Sequence, residues 1–427
     1  MSVDTRSVVH ETDLAIDWPQ VTKLVLRSRA LDELEEGELA PRGDVAYQFS
    51  AKGHELAQVL LALKLDHPHD AATTYYRSRP FALAAGLTLA EALAAGMART
   101  GGPSEGRDAG VMFSLVPRGG PAILPASGDV GSQYTPAAGW AQAIQYRANV
   151  LGEHEWNGAL AVALGGDGSV ASNGFWSALT IATTLHLPML FFIEDNGFGL
   201  SVPSRLQTPD GDISTNLASF AGLEVLGGSG TNPGQAATLI AAAVAHVRSG
   251  RGPCLLRLTV PRLSGHTFID NQAYKTEAMR REEASRDPVR ALDEWIGPAA
   301  MAAIRSEVDD ELARALKEAR SMPDPLPTSA SQQVFFEGLM QRMGGITPEA
   351  GPRRLSSRIT PGNTGPRLNL IESVRRVLEQ ELESNPKALL FGEDVGLKGV
   401  CMERPWGCNP GLVRGGFSTR RFLRRGS

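Results

Sequence analysis

Apolar positions recur along this chain in two rhythms. The stretch from Trp18 to Leu39, containing VTKLVLRSRALDELEEGEL, has helical spacing with acidic residues toward its end. YQFSAKGHELAQVLLALKL predicts a second helix, capped by Ser50, with Gly53-His54-Glu55 in its first turns. ATTYYRSRP reads as a strand end carrying an aromatic-arginine pair. Ala161 to Gly165 is a short apolar run closed by Gly166-Asp167-Gly168. Phe175 to Leu185 returns to helical spacing, and Met189 to Ile193 is a β-rich run after Pro188. His186, on an apolar background between these last two, is expected to be a packed loop residue. A loop, a short helix and a strand follow between Arg205 and Gly228, then a helix at Gly234 to Ser249, a strand at Pro253 to Val260 and charged helices from Glu277 to Ala319. This alternation predicts an α/β fold, a doubly wound parallel sheet.

The stretch from Ala161 to Pro203 is then one βαβ unit. Ligands of such sheets bind outside the carboxyl ends of the strands, so Asp167 and Asn196, 29 positions apart, are expected at one rim. Taken singly, GDG reads as a left-handed turn and Asn196-Gly197 as a β-turn. Together, on these elements, they point to a hard-cation site: Mg²⁺ takes oxygen donors and shares its shell with phosphates. Gly166 and Gly168 let the backbone approach a diphosphate closely.

Length and charge change this picture little. A chain of 427 residues is expected to form two or three domains. Its net charge of −5 offers no footprint for nucleic acid or an anionic membrane. The N-terminal sequence has no basic region followed by an apolar one, and no apolar run reaches membrane-spanning length, so a cytoplasmic location is the expectation. Cys254, Cys401 and Cys408 lack metal-ligand spacing, and Cys254, inside an apolar run, is expected to be buried and inert.

GDG with its distant asparagine resembles the thiamine diphosphate fingerprint. DNGFGLSVP is similar to the ending seen in the decarboxylating component of 2-oxo acid dehydrogenase complexes. The resemblance implies a thiamine diphosphate-binding fold in which Asp167, Asn196 and the backbone carbonyl of Phe198 hold Mg²⁺. It extends to Ser50, Gly53-His54-Glu55 and Gln58-Val59, which places His54 near the cofactor, and to Tyr76 and Arg77, which it assigns to the diphosphate. SGDVGSQYTPAAGWAQAIQY is similar to a helix start of the family that puts Ser127 and Val130 beside the cofactor's rings, Val130 as the wedge that keeps the cofactor bent. Gly265-His266, Asp270 and Ala273-Tyr274-Lys275 resemble a loop whose histidine assists proton movement and acyl transfer, a task suited to imidazole near neutral pH. Three departures stand out. Met112 or a neighbour replaces a substrate-pocket histidine after Gly106-Arg107, Ser172-Asn173 replaces a Glu-Gly, and Asp195 stands where a first asparagine is common.

The implied activity is oxidative decarboxylation of a branched-chain 2-oxo acid or pyruvate, with transfer of the acyl group to the lipoyl domain of a dihydrolipoyl acyltransferase, within a homo- or hetero-oligomer. A transketolase-like carboligase shares GDG and the asparagine. A non-catalytic subunit pairing with a separate β-chain is the third possibility.

By this reading residues 1–320 form the α-subunit-like domain and 321–367 a Pro/Gly/Ser/Arg-rich linker. Residues 368–399, LNLIESVRRVLEQELESNPKALLFGEDVG and its continuation, resemble the truncated start of a β-subunit-like domain of the same kind. From Val400 to Ser427 six arginines and two cysteines accompany one acid, Glu403, and the apolar periodicity stops. Reverse translation of this tail, read two nucleotides later, restores a β-like continuation ending in SLSEEGI, which points to a frameshift near codon 399. The resemblance places the glutamate that contacts the cofactor's aminopyrimidine in that continuation, so the 427-residue chain alone is expected to turn over little or no 2-oxo acid.

Overall fold

The computed structural model describes residues 16–108, 110–331, 368–385, 387, 389 and 390. Strands β1 (Ala71–Thr73), β2 (Ala122–Leu124), β3 (Ala161–Gly166), β4 (Met189–Asp195), β5 (Phe198–Gly199), β6 (Val202–Pro203), β7 (Glu224–Ser229) and β8 (Cys254–Thr259) follow in chain order. Six of them form one sheet in the order β2-β1-β3-β4-β8-β7, every pair parallel. β5 and β6 form a separate antiparallel hairpin.

The alternation of side chains along the strands explains the layers. Val162, Leu164, Leu190, Phe192, Leu256 and Leu258 face one side, packing with Leu56, Leu60, Ile240 and Val244 from the helices Glu55–Lys64 and Pro233–Arg248. Ala161, Ala163, Met189, Phe191, Ile193 and Leu255 face the other, against Ala137, Ala141, Phe175 and Leu179 from Tyr134–Asn149 and Asn173–Leu185. A parallel sheet with both faces covered needs such continuous apolar strands, and the doubly wound α/β arrangement follows.

Local chemistry departs from expectation in four places. The first helix runs as α-helix over Trp18–Leu34 and passes into a π-turn, Glu35–Leu39, closed by Ala40 N–H on the Glu35 carbonyl. Glu35 is buried there against Arg79, which also pairs with Asp32. Ser50 caps no helix: its hydroxyl donates to Asp32 at 3.3 Å and accepts the Lys52 N–H at 3.2 Å, and the next helix begins at Glu55 with His54 in the N-cap position. His186 is exposed, in left-handed conformation (φ 52°), and ends the helix Asn173–Leu185; it is not packed. Gly168 has φ −68°, so GDG is no left-handed turn. Cys254 is buried, and burial pushes its thiol pKa up.

The chain divides into two compact units, Met1–Pro327 and Thr328–Ser427. In the second, Leu370–Ser384 forms the expected amphipathic helix. The strand ending in Gly392-Glu393-Asp394-Val395, most of the linker and the arginine-rich tail lie outside the described residues. Among the described residues no helix is long and apolar enough to cross a membrane.

One glycine fixes how β8 meets the helix Glu55–Lys64. Gly53 has φ 102°, and a Cβ there would overlap the carbonyl oxygen of Pro261. Gly53→Ala is therefore expected to destabilise the fold by about 2–4 kcal/mol, measured by denaturant unfolding. Stability within about 0.5 kcal/mol of the parent would show that the contact yields easily.

Candidate active site

A cavity of about 790 Å³ opens where the strands of the first unit end. β1 leads to Tyr75, Tyr76 and Arg77, β3 to Gly166–Ser169, β4 to Asn196–Leu200 and β8 to Arg262 and His266, and side chains from all four segments line it. The register explains the meeting of the first pair. Gly166 sits opposite Glu194 on adjacent strands, so Asp167 leaves the sheet beside Asp195, one residue before Asn196, whose backbone N–H reaches the Asp167 carboxylate.

Asp167 is only 4% exposed, and one carboxylate oxygen, Oδ2, has no partner among the described residues. Burial, and then the neighbouring Asp195, push its pKa up to about 7, against the pull of backbone N–H groups of Asn196 and Asp167 itself. The Asn196 side-chain oxygen accepts the Phe198 N–H at 3.1 Å, and its amide nitrogen lies 3.4 Å from His54 Nε2. No cluster of three or more His, Cys, Asp or Glu that would hold a metal occurs among the described residues. A cation here depends on one carboxylate with amide and main-chain oxygens, a donor set suited to Mg²⁺ shared with phosphate. The buried, unsatisfied Asp167 oxygen fits that demand.

The opposite charge is present in the same wall. Arg77, fully buried, donates to the Ser50 carbonyl and, at 3.3 Å, to the His266 carbonyl. Arg262, also buried, donates to the Leu200 carbonyl at 2.8 Å and to Tyr274, while its Nε has no partner among the described residues. Neither arginine pairs with a carboxylate among the described residues. Two buried guanidiniums held only by neutral acceptors make a site that favours an anion. Gly166 and Gly168 line the cavity beside them.

Ser127 and Val130 stand at the exposed rim, Val130 with 58% of its surface accessible; Ser127 exchanges hydrogen bonds with Asp129. Tyr76 packs against Phe49 with ring centroids 4.3 Å apart and planes tilted by 37°, Phe49 meets Tyr47 and His266 edge-on, and Val111 and Met112 complete this apolar end. His54 does not line the cavity. It is wholly buried behind Asn196, with Nδ1 unpartnered among the described residues and its pKa held far below the ordinary histidine value by burial and by Arg77 and Arg262.

His266 does reach the cavity, half-buried, on a loop tied at its neck. Lys275 Nζ donates to the Arg262 carbonyl and to Glu283, each at 2.8 Å, and Asp270 accepts the His266 N–H at 2.7 Å and the Tyr274 hydroxyl. A Cβ on Gly265 would strike the Asp270 carbonyl, so the turn before the histidine requires glycine. Burial first, then Arg77 and Arg262, lower the His266 pKa to about 4, leaving the ring neutral near pH 7.

Sequence reasoning missed Arg262, Tyr47, Phe49 and the buried Glu194, which accepts from Gln58 and Tyr75 beneath Arg77. Only Arg262 left a signal, an arginine just past the end of β8 in VPRLSGH.

The family model described as "Dehydrogenase E1 component" matches residues 27–328. The chain is similar to the pyruvate dehydrogenase E1 component subunit alpha of Zymomonas mobilis, 26% identical over 286 residues, 66% of this chain and 77% of that protein. It is similar to the 2-oxoisovalerate dehydrogenase subunit alpha of Bacillus subtilis, 27% identical over 321 residues, 73% of this chain and 93% of that one. Similarity extends to the somatic mitochondrial pyruvate dehydrogenase E1 component subunit alpha of Homo sapiens, 28% identical over 268 residues, 61% of this chain and 64% of that protein.

Proposed function

The chain belongs to the dehydrogenase E1 component family, whose members depend on thiamine diphosphate, and from that premise we propose that it decarboxylates a 2-oxo acid as an α-type component and passes the acyl group to a lipoyl domain. One observation carries the reading: a buried carboxylate with one oxygen unpartnered among the described residues shares a cavity at the strand ends with two buried guanidiniums that, among those residues, form no direct salt bridge. Such a pairing suits a metal-diphosphate, whose two parts each match one of the charges.

In this proposal Asp167, Asn196 and the Phe198 carbonyl hold Mg²⁺, while Arg77, Arg262, Gly166 and Gly168 take the diphosphate. Tyr76, Ser127 and Val130 border the ring end, with Val130 as the wedge. His54, neutral and buried, steadies the Asn196 amide. The bound thiamine diphosphate supplies the electron sink for decarboxylation. His266, kept neutral by burial and then by Arg77 and Arg262, accepts or returns a proton at its imidazole during acyl transfer. Tyr47, Phe49, Val111 and Met112 give the substrate end an apolar wall, compatible with a branched-chain 2-oxo acid as well as with pyruvate. The glutamate that serves the aminopyrimidine comes, by family resemblance, from a β-type partner, and a dihydrolipoyl acyltransferase receives the product.

The test combines the full chain with a separate β-type chain, Mg²⁺, thiamine diphosphate, a lipoyl domain and a panel of 2-oxo acids, reading CO₂ release and acylated lipoyl domain. Turnover is expected only with the β-type chain present. Cofactor binding without turnover of any 2-oxo acid would refute the activity, and failure to bind cofactor would refute the site.

A further inference from the structure

The carboxylate at position 195, where the family commonly has an asparagine, has a matched partner on the next strand. Arg257 of β8 donates through Nε to Asp195 Oδ2 at 2.8 Å, with its NH2 at 2.6 Å from the same oxygen, and through NH1 to Asp212 Oδ2 at 3.0 Å. The other oxygen of Asp195 accepts the Gly197 N–H at 2.9 Å. Asp195 is 7% exposed and Arg257 about one-fifth, so this is an ion pair shielded from water. Asp212 in turn caps the helix Ile213–Leu217, its Oδ1 accepting the Ser214 N–H at 2.9 Å and the Thr215 N–H at 3.2 Å.

Each link constrains the next. Gly197 lies between Asn196 and Phe198, the two residues assigned to the cation after β4. An acceptor on its N–H fixes the plane of the Asn196–Gly197 peptide, and Arg257 fixes the acceptor. An asparagine at 195 would present a neutral oxygen that an arginine holds less firmly. We propose that Arg257 is a positioning residue for the cation end of the site: it locks Asp195, and through the Gly197 N–H it sets the turn that aims Asn196 and the Phe198 carbonyl. By holding Asp212 as well, it couples that turn to the segment entering the helix Ile213–Leu217. The inference rests on the Mg²⁺ assignment above.

The test is Mg²⁺-dependent retention of thiamine diphosphate by the full chain, followed by titration calorimetry, alongside melting of the metal-free protein. Arg257→Met is expected to raise the Mg²⁺ concentration for half-saturation about 10- to 100-fold, the range for groups that orient metal ligands. Arg257→Lys, which reaches one carboxylate as a point charge, is expected to recover part of that loss. Combining Asp195→Asn with Arg257→Met should cost less than the sum of the single changes, since both break one link. A metal-free melting temperature lowered in Arg257→Met with half-saturation within about twofold of the parent would overturn the proposal, leaving a structural ion pair. Where Arg257→Met does not fold, Arg257→Lys decides, and half-saturation equal to the parent's counts against the proposal. A parent chain that binds no cofactor under any Mg²⁺ concentration overturns the assignment beneath it instead.

Discussion

Asp167→Asn is expected to abolish Mg²⁺-dependent binding of thiamine diphosphate, raising half-saturation by at least about 100-fold, while making the metal-free protein more stable at pH 8. Both effects arise from one oxygen. Asp167 Oδ2 is buried without a partner among the described residues, and burial with the nearby Asp195 charge lifts the carboxyl pKa from the ordinary aspartate range to about 7. A group whose folded pKa is raised contributes stability that is fully present below the unfolded value and is lost as pH rises through the folded one. The metal-free parent should therefore lose stability between about pH 4 and pH 7, on the order of 2–4 kcal/mol, and the asparagine variant should not. The melting temperatures should converge near pH 4 and separate toward pH 8, and saturating Mg²⁺ with cofactor should restore the parent alone. A variant no more stable than the parent at pH 8, or one that still binds cofactor with Mg²⁺, would contradict the site.

His266→Ala is expected to slow acyl transfer to a lipoyl domain by about 10²- to 10³-fold, the usual contribution of a placed acid-base group. Cofactor affinity should change little, because the contact between Arg77 and residue 266 uses the backbone carbonyl, which alanine keeps. The pH profile carries a sign of its own. Burial and the two arginines lower the His266 pKa to about 4, so the ring stays neutral through the working range and an acid limb due to this group belongs near pH 4. An acid limb near the unperturbed histidine value that vanishes in His266→Ala would show that the ring works in water. Loss of cofactor affinity equal to the loss of rate would assign the loop to binding.

The difference between what was readable and what was not follows the range of the interaction. Strands β3, β4 and β8 were legible because a fully buried parallel strand writes its burial into consecutive apolar residues. The pairing of Asp167 with Asn196 was legible too, since a βαβ unit is local and its strands leave the sheet at one rim. His186 was misjudged because an apolar sequence background says nothing of which side of a helix end faces solvent. The π-turn at Glu35–Leu39 depends on a carboxylate buried against Arg79, 44 residues away in the chain.

The sequence by itself determined the α/β alternation and the strand-end aspartate and asparagine. Its family resemblance determined the cofactor class, thiamine diphosphate. Only the tertiary structure decided that Arg77 and Arg262 stand in one wall without a direct salt bridge among the described residues, that His54 lies behind Asn196 while His266 enters the cavity, and that Arg257 holds Asp195. The physical reason is shared: these properties are differences in desolvation and charge between groups brought together from separate strands, and such terms exist only once the sheet has closed around them.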